Sequence, residues 1–400
     1  MEFTDRAIIA GKGELMKNIY LDYAASTPVD ERVVAVMGPY FSEFFGNPSS
    51  LHLYGQKSES ALEQSRREIA ACLNARPGEI IFTSCGSESD NMALRGAAFA
   101  ARHDHGLNHL VISPIEHPAV LITAKQLEEL HGFDVSWLPV TKTGIVTAQS
   151  VNELIQDDTA LVSVMHANNE IGTLNPIKEI GEICHERGIA LHTDAVQSAA
   201  HFPIDVNELQ VDLLSIGAHK FYGPKGVGAL YVRSGTNLIS SLTGGSQEFG
   251  LRAATQNIPL IVGMAKAFKL VQDEHQKRNN HIQPLRDHLI SRILADVSDS
   301  QLTGDPENRL PNHTSFVFEG VDGNLLIQVL DAAGFACSSG SACKTGDPEP
   351  SAVLTKLDYS PSWSLGSLRV TLGKDTSKKD IESFLNIMPG SIEKVRNINK

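Results

Sequence analysis

Ala160-Leu161-Val162-Ser163-Val164 is followed by a helical stretch from Ile177 to Arg187 and then by Ala190-Leu191-His192-Thr193. Two short apolar runs joined by a helix predict neighbouring parallel strands, because a parallel pair needs a crossover rather than a hairpin. The same alternation extends upstream through Glu79-Ile80-Ile81-Phe82-Thr83, a helix from Asn91 to Arg102, and His109-Leu110-Val111-Ile112. Downstream it reaches Leu213-Leu214-Ser215-Ile216. The prediction is an α/β fold whose mostly parallel sheet is covered by helices on both faces.

Past Gly263 the pattern changes. A long helix is expected from Ile261 to Ile293, with a break near Asn279-Asn280, followed by a strand at Thr314 to Phe318 and a helix from Asn324 to Ala333. A strand from Ser367 to Leu372 and a closing helix from Lys378, capped by Thr376-Ser377, complete a second, smaller α+β domain. Met16 stands just before the first strand-like run, Ile19 to Asp22, so residues 1–15 stay outside the fold argument.

Composition narrows the function. The 34 Lys and Arg against 47 Asp and Glu leave 34 − 47 = −13, an acidic surface that disfavours nucleic acid and anionic membranes. No run approaches the roughly 18 apolar residues of a membrane span, and no export signal is read at the N-terminus. Five cysteines with no CxxC pair suggest neither a disulfide framework nor a thiolate metal site. A small-molecule partner and a reducing cytoplasm are expected.

Three segments point to chemistry. In Ile81-Phe82-Thr83-Ser84-Cys85-Gly86-Ser87-Glu88-Ser89-Asp90-Asn91 a buried strand gives way to small polar residues and a helix start, which is either a phosphate cradle or a plain set of helix caps. In Leu191-His192-Thr193-Asp194 a carboxylate ends a parallel strand, at the edge where open α/β sheets bind ligands. It serves either as a helix cap or the partner of a surface base, or as the partner of a protonated ring nitrogen. The third segment runs from Ser215 through His219-Lys220 into Gly223-Pro224-Lys225-Gly226-Val227-Gly228. A partly desolvated lysine there has a lowered pKa and a free amine for imine formation.

Together these residues identify a family. The chain resembles the cysteine desulfurases of the nitrogen-fixation and iron–sulfur-cluster type, fold-type-I pyridoxal-phosphate (PLP) enzymes related to class V aminotransferases. The resemblance spans residues 19 to 385 and is carried by Tyr20-Leu21-Asp22-Tyr23-Ala24-Ala25, Gly46-Asn47-Pro48-Ser49-Ser50, Glu88-Ser89-Asp90-Asn91, Glu116-His117, His166 to Gly172, Thr193 to Ser198, Gly217 to Gly228, and Ser338-Ser339-Gly340-Ser341-Ala342-Cys343. It implies a large PLP-binding domain over 30–262 and a small α+β domain built from 16–29 and 263–400.

The resemblance also implies roles. Lys220 forms the imine with PLP, Asp194 pairs with the pyridinium nitrogen, and His117 stacks on the ring and carries a proton at the substrate thiol. Asn169 and Gln197 lie near the cofactor's phenolic oxygen, while Gly86, Ser87 and His219 hold its phosphate. Thr255 matches a residue that reaches the phosphate of the neighbouring subunit, which implies a homodimer. Arg369 matches the arginine that grips the substrate carboxylate, assisted by Asn47.

Of the two cysteines near the loop, Cys343 matches the family's sulfur acceptor, and Cys337 is expected to be a buried structural thiol. The implied reaction converts L-cysteine to L-alanine and leaves a persulfide on Cys343 for an iron–sulfur scaffold or another sulfur carrier. Two departures stand out: Gly217 replaces a common phosphate-binding serine, and Cys85 replaces a common glycine, so the phosphate grip is expected to be one hydrogen bond poorer. The rival readings are another class V PLP enzyme, such as an aminotransferase or a selenocysteine lyase, and a sulfur-transfer scaffold.

Overall fold

The computed structural model describes residues 18–340, 342–344 and 347–398, with side chains left aside at 342–344 and 347–349. Its strands run in chain order as β1 (Ile19–Tyr20), β2 (Ile80–Thr83), β3 (His109–Ile112), β4 (Asp134–Trp137), β5 (Thr159–Ser163), β6 (Ala190–Asp194), β7 (Leu213–Gly217) and β8 (Gly228–Val232). After the long helix come β9 (Ser300–Leu302), β10 (His313–Phe318), β11 (Phe335–Ala336), β12 (Ala342–Lys344), β13 (Asp347–Glu349) and β14 (Ser367–Thr371).

Seven strands form the central sheet in the order β2-β8-β7-β6-β5-β3-β4. All neighbours are parallel except at β8, which runs against both β2 and β7. Strands β2, β3, β5, β7 and β8 are buried along their whole length, which is why they read as continuous apolar runs. The expected α/β fold with a mostly parallel sheet is the one observed.

Local chemistry sets the connections. The helix Ile177–Arg187 stops at Gly188, whose φ of 67° a glycine adopts without strain, and His185 and Arg187 meet the negative end of its dipole. The helix expected from Asn91 starts earlier, at Gly86, because Cys85 Sγ accepts the Glu88 amide at 3.4 Å and Glu88 reaches back to the Ser84 amide at 2.6 Å. With Cys85 as the cap, Gly86 and Ser87 stand in the first helical turn.

The expected break at Asn279-Asn280 is absent. One helix runs from Ile258 to Asp296, about 58 Å at 1.5 Å per residue. Asparagine lowers helix propensity by only a fraction of a kcal/mol, and packing on both sides outweighs it. Ile261, Met264, Phe268 and Val271 pack into the core beneath the large sheet, whereas Ile282, Leu289 and Ile293 pack with Leu21, Phe316, Leu368 and Phe384. Asn279 is itself engaged, donating to the His201 carbonyl at 2.7 Å.

The second core carries the antiparallel sheet β14-β10-β9 and the parallel pair β1-β11. Each fully buried leucine or phenylalanine in it contributes about 1.5–3 kcal/mol. The closing helix Lys378–Ile398 begins with Ser377, whose Oγ accepts the Asp380 amide at 3.2 Å while Asp380 accepts the Ser377 amide at 2.9 Å.

Candidate active site

Because β8 is antiparallel to both neighbours, β2 and β7 point the same way, and their C-terminal ends share an edge with that of β6. The three sequence segments therefore converge on one side of the sheet. They enclose a cavity of about 190 Å³ lined by Gly86, Ser87, His117, Asn169, Asp194, Gln197, His219, Lys220 and Arg369. Ala24, Ala25, Cys85, Asp90, Met165 and Val196 complete the lining.

Lys220 ends a short turn after β7, and its Nζ donates to the carbonyls of Ala24 at 2.6 Å and Ala25 at 2.9 Å. Burial, reinforced by the nearby Arg369 cation, lowers its pKa to about 8. Gln197 Nε2 donates to the same Ala24 carbonyl at 3.0 Å.

Asp194 is buried, with Oδ1 accepting the Val196 amide at 2.8 Å, and burial raises its pKa. Two further buried acids stand close to it, Asp90 and Glu116, each with one carboxylate oxygen that has no hydrogen-bond partner among the described residues. Burial first, then the neighbouring Asp194 charge, pushes the Asp90 carboxyl well up. For Glu116 burial again dominates.

His117 caps the helix Pro118–His131 through Nδ1, which accepts the Ala119 amide at 3.1 Å. That bond puts the proton of the neutral ring on Nε2. Burial, with the Lys220 cation adding to it, keeps the ring neutral by lowering its pKa. His219 is pushed down to about 4, chiefly by burial, so at neutral pH it offers a neutral N–H.

The first helical amides, Gly86 and Ser87, have no intrahelical carbonyl to reach. Gly86 is required by close approach, since a Cβ there would sit 2.7 Å from Val196 Cγ2. At Gly217 a Cβ would lie 3.5 Å from the Gly86 amide nitrogen, so a serine at that position would face this same helix start. Cys85 Sγ turns to the Glu88 amide.

An anion cradle, a desolvated lysine and a buried carboxylate around one cavity form a donor set that fits PLP. The buried Asp194 can pair with a protonated pyridine nitrogen, and the free amides of the helix start can donate to a phosphate. Arg369 donates from Nη1 to the Asn169 carbonyl and from Nη2 to Asp22, both at 2.9 Å.

Two expected site residues stay outside this cavity. Asn47 and Thr255 lie together in a separate hollow with Phe45, Gly46, Pro48 and Gln256, and Asn47 Oδ1 accepts the Ser49 amide at 2.9 Å. The backbone of Cys343 pairs with Pro348 in the β12–β13 hairpin, and its side chain lies outside what the structure describes. Burial pushes the Cys337 thiol up to about 12, so it is protonated at neutral pH.

The carbonyls of Ala24 and Ala25 and the acids Asp90 and Glu116 were not singled out as site residues from the sequence. All four lie in motifs that carry the resemblance, yet a backbone carbonyl has no side-chain signature, and a buried acid looks like any other acid.

Residues 19–384 match the family described as Aminotransferase class-V. The chain belongs to the class V aminotransferase family. Within it, the cysteine desulfurase IscS of Dictyoglomus turgidum is 45% identical over 385 residues, 96% of this chain and 97% of its own length. A solved NifS-like protein superposes with a TM-score of 0.86 at 34% identity, covering 95% of this chain and 99% of that one. SspA in complex with cysteine superposes at 0.77 with 37% identity, over 90% and 99%. This class V member therefore has the fold-type-I architecture of the cysteine desulfurases.

Proposed function

We propose that this chain is a PLP-dependent cysteine desulfurase that converts L-cysteine to L-alanine and holds the released sulfur as a persulfide on Cys343. The carrying observation is Lys220, desolvated and held by two carbonyls in a cavity that also contains Asp194, an anion cradle and Arg369. Relatives named as cysteine desulfurases, and a structural neighbour solved with cysteine, support the choice of substrate.

Gly86, Ser87 and His219 would hold the cofactor phosphate, Asp194 its ring nitrogen, and Asn169 and Gln197 its phenolic edge. Bound PLP supplies an electron sink for the substrate carbanion. Arg369 binds the substrate carboxylate with its planar fork. Lys220, with its lowered pKa, takes the α-proton. His117 presents its Nε2–H to the substrate sulfur as a hydrogen-bond donor.

Sulfur transfer then needs no external oxidant. The Cys343 thiolate bonds to the substrate sulfur as the Cβ–S bond breaks, and the electron pair of that bond stays with carbon, which takes a proton to become the alanine methyl group.

A division into a large domain over 30–262 and a small one from 16–29 and 263–400 is supported where Leu21 packs with residues beyond 281, whereas Met264, Phe268 and Val271 pack in the core beneath the large sheet, so the start of the 263–400 segment sides with the large domain. A homodimer is supported by exposed apolar residues in and just after the segment that lines the Asn47–Thr255 hollow: Phe45 in its lining, and Leu51 (92% exposed) and Leu53 a few positions on in the chain. A partner subunit there would bring Thr255 to the other chain's phosphate. The sulfur acceptor is read as a cluster scaffold or another sulfur carrier. Free Cys72, Cys85, Cys184 and Cys337 support a reducing cytoplasm, and among the described residues no helix is long and apolar enough to cross a membrane.

The test is alanine and sulfide production from L-cysteine with PLP and a thiol reductant, beside Cys343→Ala. Equal alanine and sulfide, lost in the variant, support the reading. A PLP-loaded protein that forms neither product would refute it.

A further inference from the structure

Arg369 is held from outside the cavity as well as facing into it. Its Nη2 donates to Asp22 Oδ1 at 2.9 Å, and the other oxygen of that carboxylate, Oδ2, accepts from Ser338 Oγ at 2.7 Å. The backbone joins the same residues. Ser338 and Arg369 exchange amide–carbonyl bonds of 3.2 and 2.7 Å, and Asp22 bridges to Thr371. The Asp22 and Arg369 side chains are only 16% and 12% exposed, so solvent weakens their pairing little.

One carboxylate thus touches both the arginine of the substrate site and Ser338, which opens the Ser338-to-Cys343 motif five positions before the nucleophile. Arginine has five N–H donors. Among the described residues two are occupied, by Asp22 and Asn169, which leaves others for a ligand in the cavity that Arg369 lines. A guanidinium turns freely about its long side chain unless one edge is fixed, and fixing it beforehand lowers the entropy lost on binding.

We propose that Asp22 is a positioning residue: it aims Arg369 at the substrate carboxylate and, through Ser338, ties the start of the cysteine-bearing segment to that arginine. The inference rests on the desulfurase reading. It predicts two separable losses, one in carboxylate binding and one in sulfur transfer.

The experiment uses PLP-loaded wild type, Asp22→Asn and Ser338→Ala. L-alanine, which has the carboxylate and amine but no sulfur, is titrated against the cofactor's visible absorbance, and kcat and KM for persulfide formation are measured with L-cysteine. Asp22→Asn is expected to weaken L-alanine binding and raise KM by about tenfold, the size of one charge-assisted hydrogen bond. Ser338→Ala is expected to keep L-alanine affinity within about twofold while kcat falls at least about fivefold. General loss of packing would not separate the two.

Unchanged or tighter L-alanine binding in Asp22→Asn would overturn the proposal, as would parallel losses of affinity and kcat in Ser338→Ala. Should Asp22→Asn not retain cofactor, Ser338→Ala decides alone by the same split. A wild type that binds L-alanine yet makes none from L-cysteine would defeat the desulfurase reading instead, while the titration still reads the Asp22–Arg369 link.

Discussion

Lys220 Nζ lies 2.6 Å from the carbonyl oxygen of Ala24, a residue 196 positions earlier in the chain. An ammonium held by carbonyls rather than by a carboxylate is oriented without being locked into a strong ion pair. Its neutral form therefore stays accessible, and burial adds to that by lowering the pKa to about 8.

Replacing this lysine should abolish the reaction. Lys220→Ala is expected to lose the visible absorbance of the lysine-bound cofactor and to lower turnover by at least about 10³-fold, in the upper part of the usual range for a general base. An unchanged visible band in the variant would assign the cofactor linkage elsewhere.

The pH dependence of cofactor capture follows from the same shift. Lys220 must be neutral to attack the PLP aldehyde, and its pKa is lowered, so the neutral fraction rises as pH climbs towards 8 and levels off above it. For cofactor-free protein mixed with PLP, the capture rate should increase up to about tenfold per pH unit below the midpoint. Stopped-flow absorbance checks this, and a midpoint above pH 10 would contradict the desolvated lysine.

Gly86 and Val196 form a matched pair across the cradle. Gly86→Ala places a Cβ 2.7 Å from Val196 Cγ2 and should destabilise the protein by about 1–3 kcal/mol, with weaker PLP binding. Adding Val196→Ala removes the methyl that clashes and should recover most of the loss. Urea denaturation of the four proteins in the cycle measures the coupling, and purely additive effects would show that the two positions do not meet.

The two cysteines flanking the Ser338–Ala342 run should behave differently. Cys343→Ala is expected to retain PLP and bind L-cysteine while forming no persulfide. Cys337, with its thiol pushed up to about 12, should be alkylated slowly at pH 8 and tolerate Cys337→Ala with turnover reduced less than about twofold. Cys337 is partly exposed, so slow alkylation would come from its raised thiol pKa, and rapid alkylation in the folded protein would contradict that shift.

Much of the fold was legible because its strands are short apolar runs separated by amphipathic helices. The helix Ile177–Arg187 and the strand His109–Ile112 were read at their observed ends. The break expected at Asn279-Asn280 failed because propensity is local, whereas the contacts that keep the helix whole come from two different cores. The start of the Gly86 helix was missed for a related reason: its cap is a thiol, a poor capping residue by propensity, with Glu88 also holding the preceding Ser84 amide.

At the site, residue types and order were enough to single out Lys220 and Asp194 at strand ends, while His117 and Arg369 were named only through the family resemblance. Sequence also determined the alternation that builds a parallel sheet. Only tertiary structure decided which acids stand beside Asp194, that Lys220 rests on the Ala24 and Ala25 carbonyls, that Asp22 spans Arg369 and Ser338, and that Asn47 and Thr255 stay outside the cavity of a single chain. Periodicity and propensity act over a few residues. Burial, desolvation and ion pairing depend on groups hundreds of positions apart, and their strengths take shape only when folding removes the water between them.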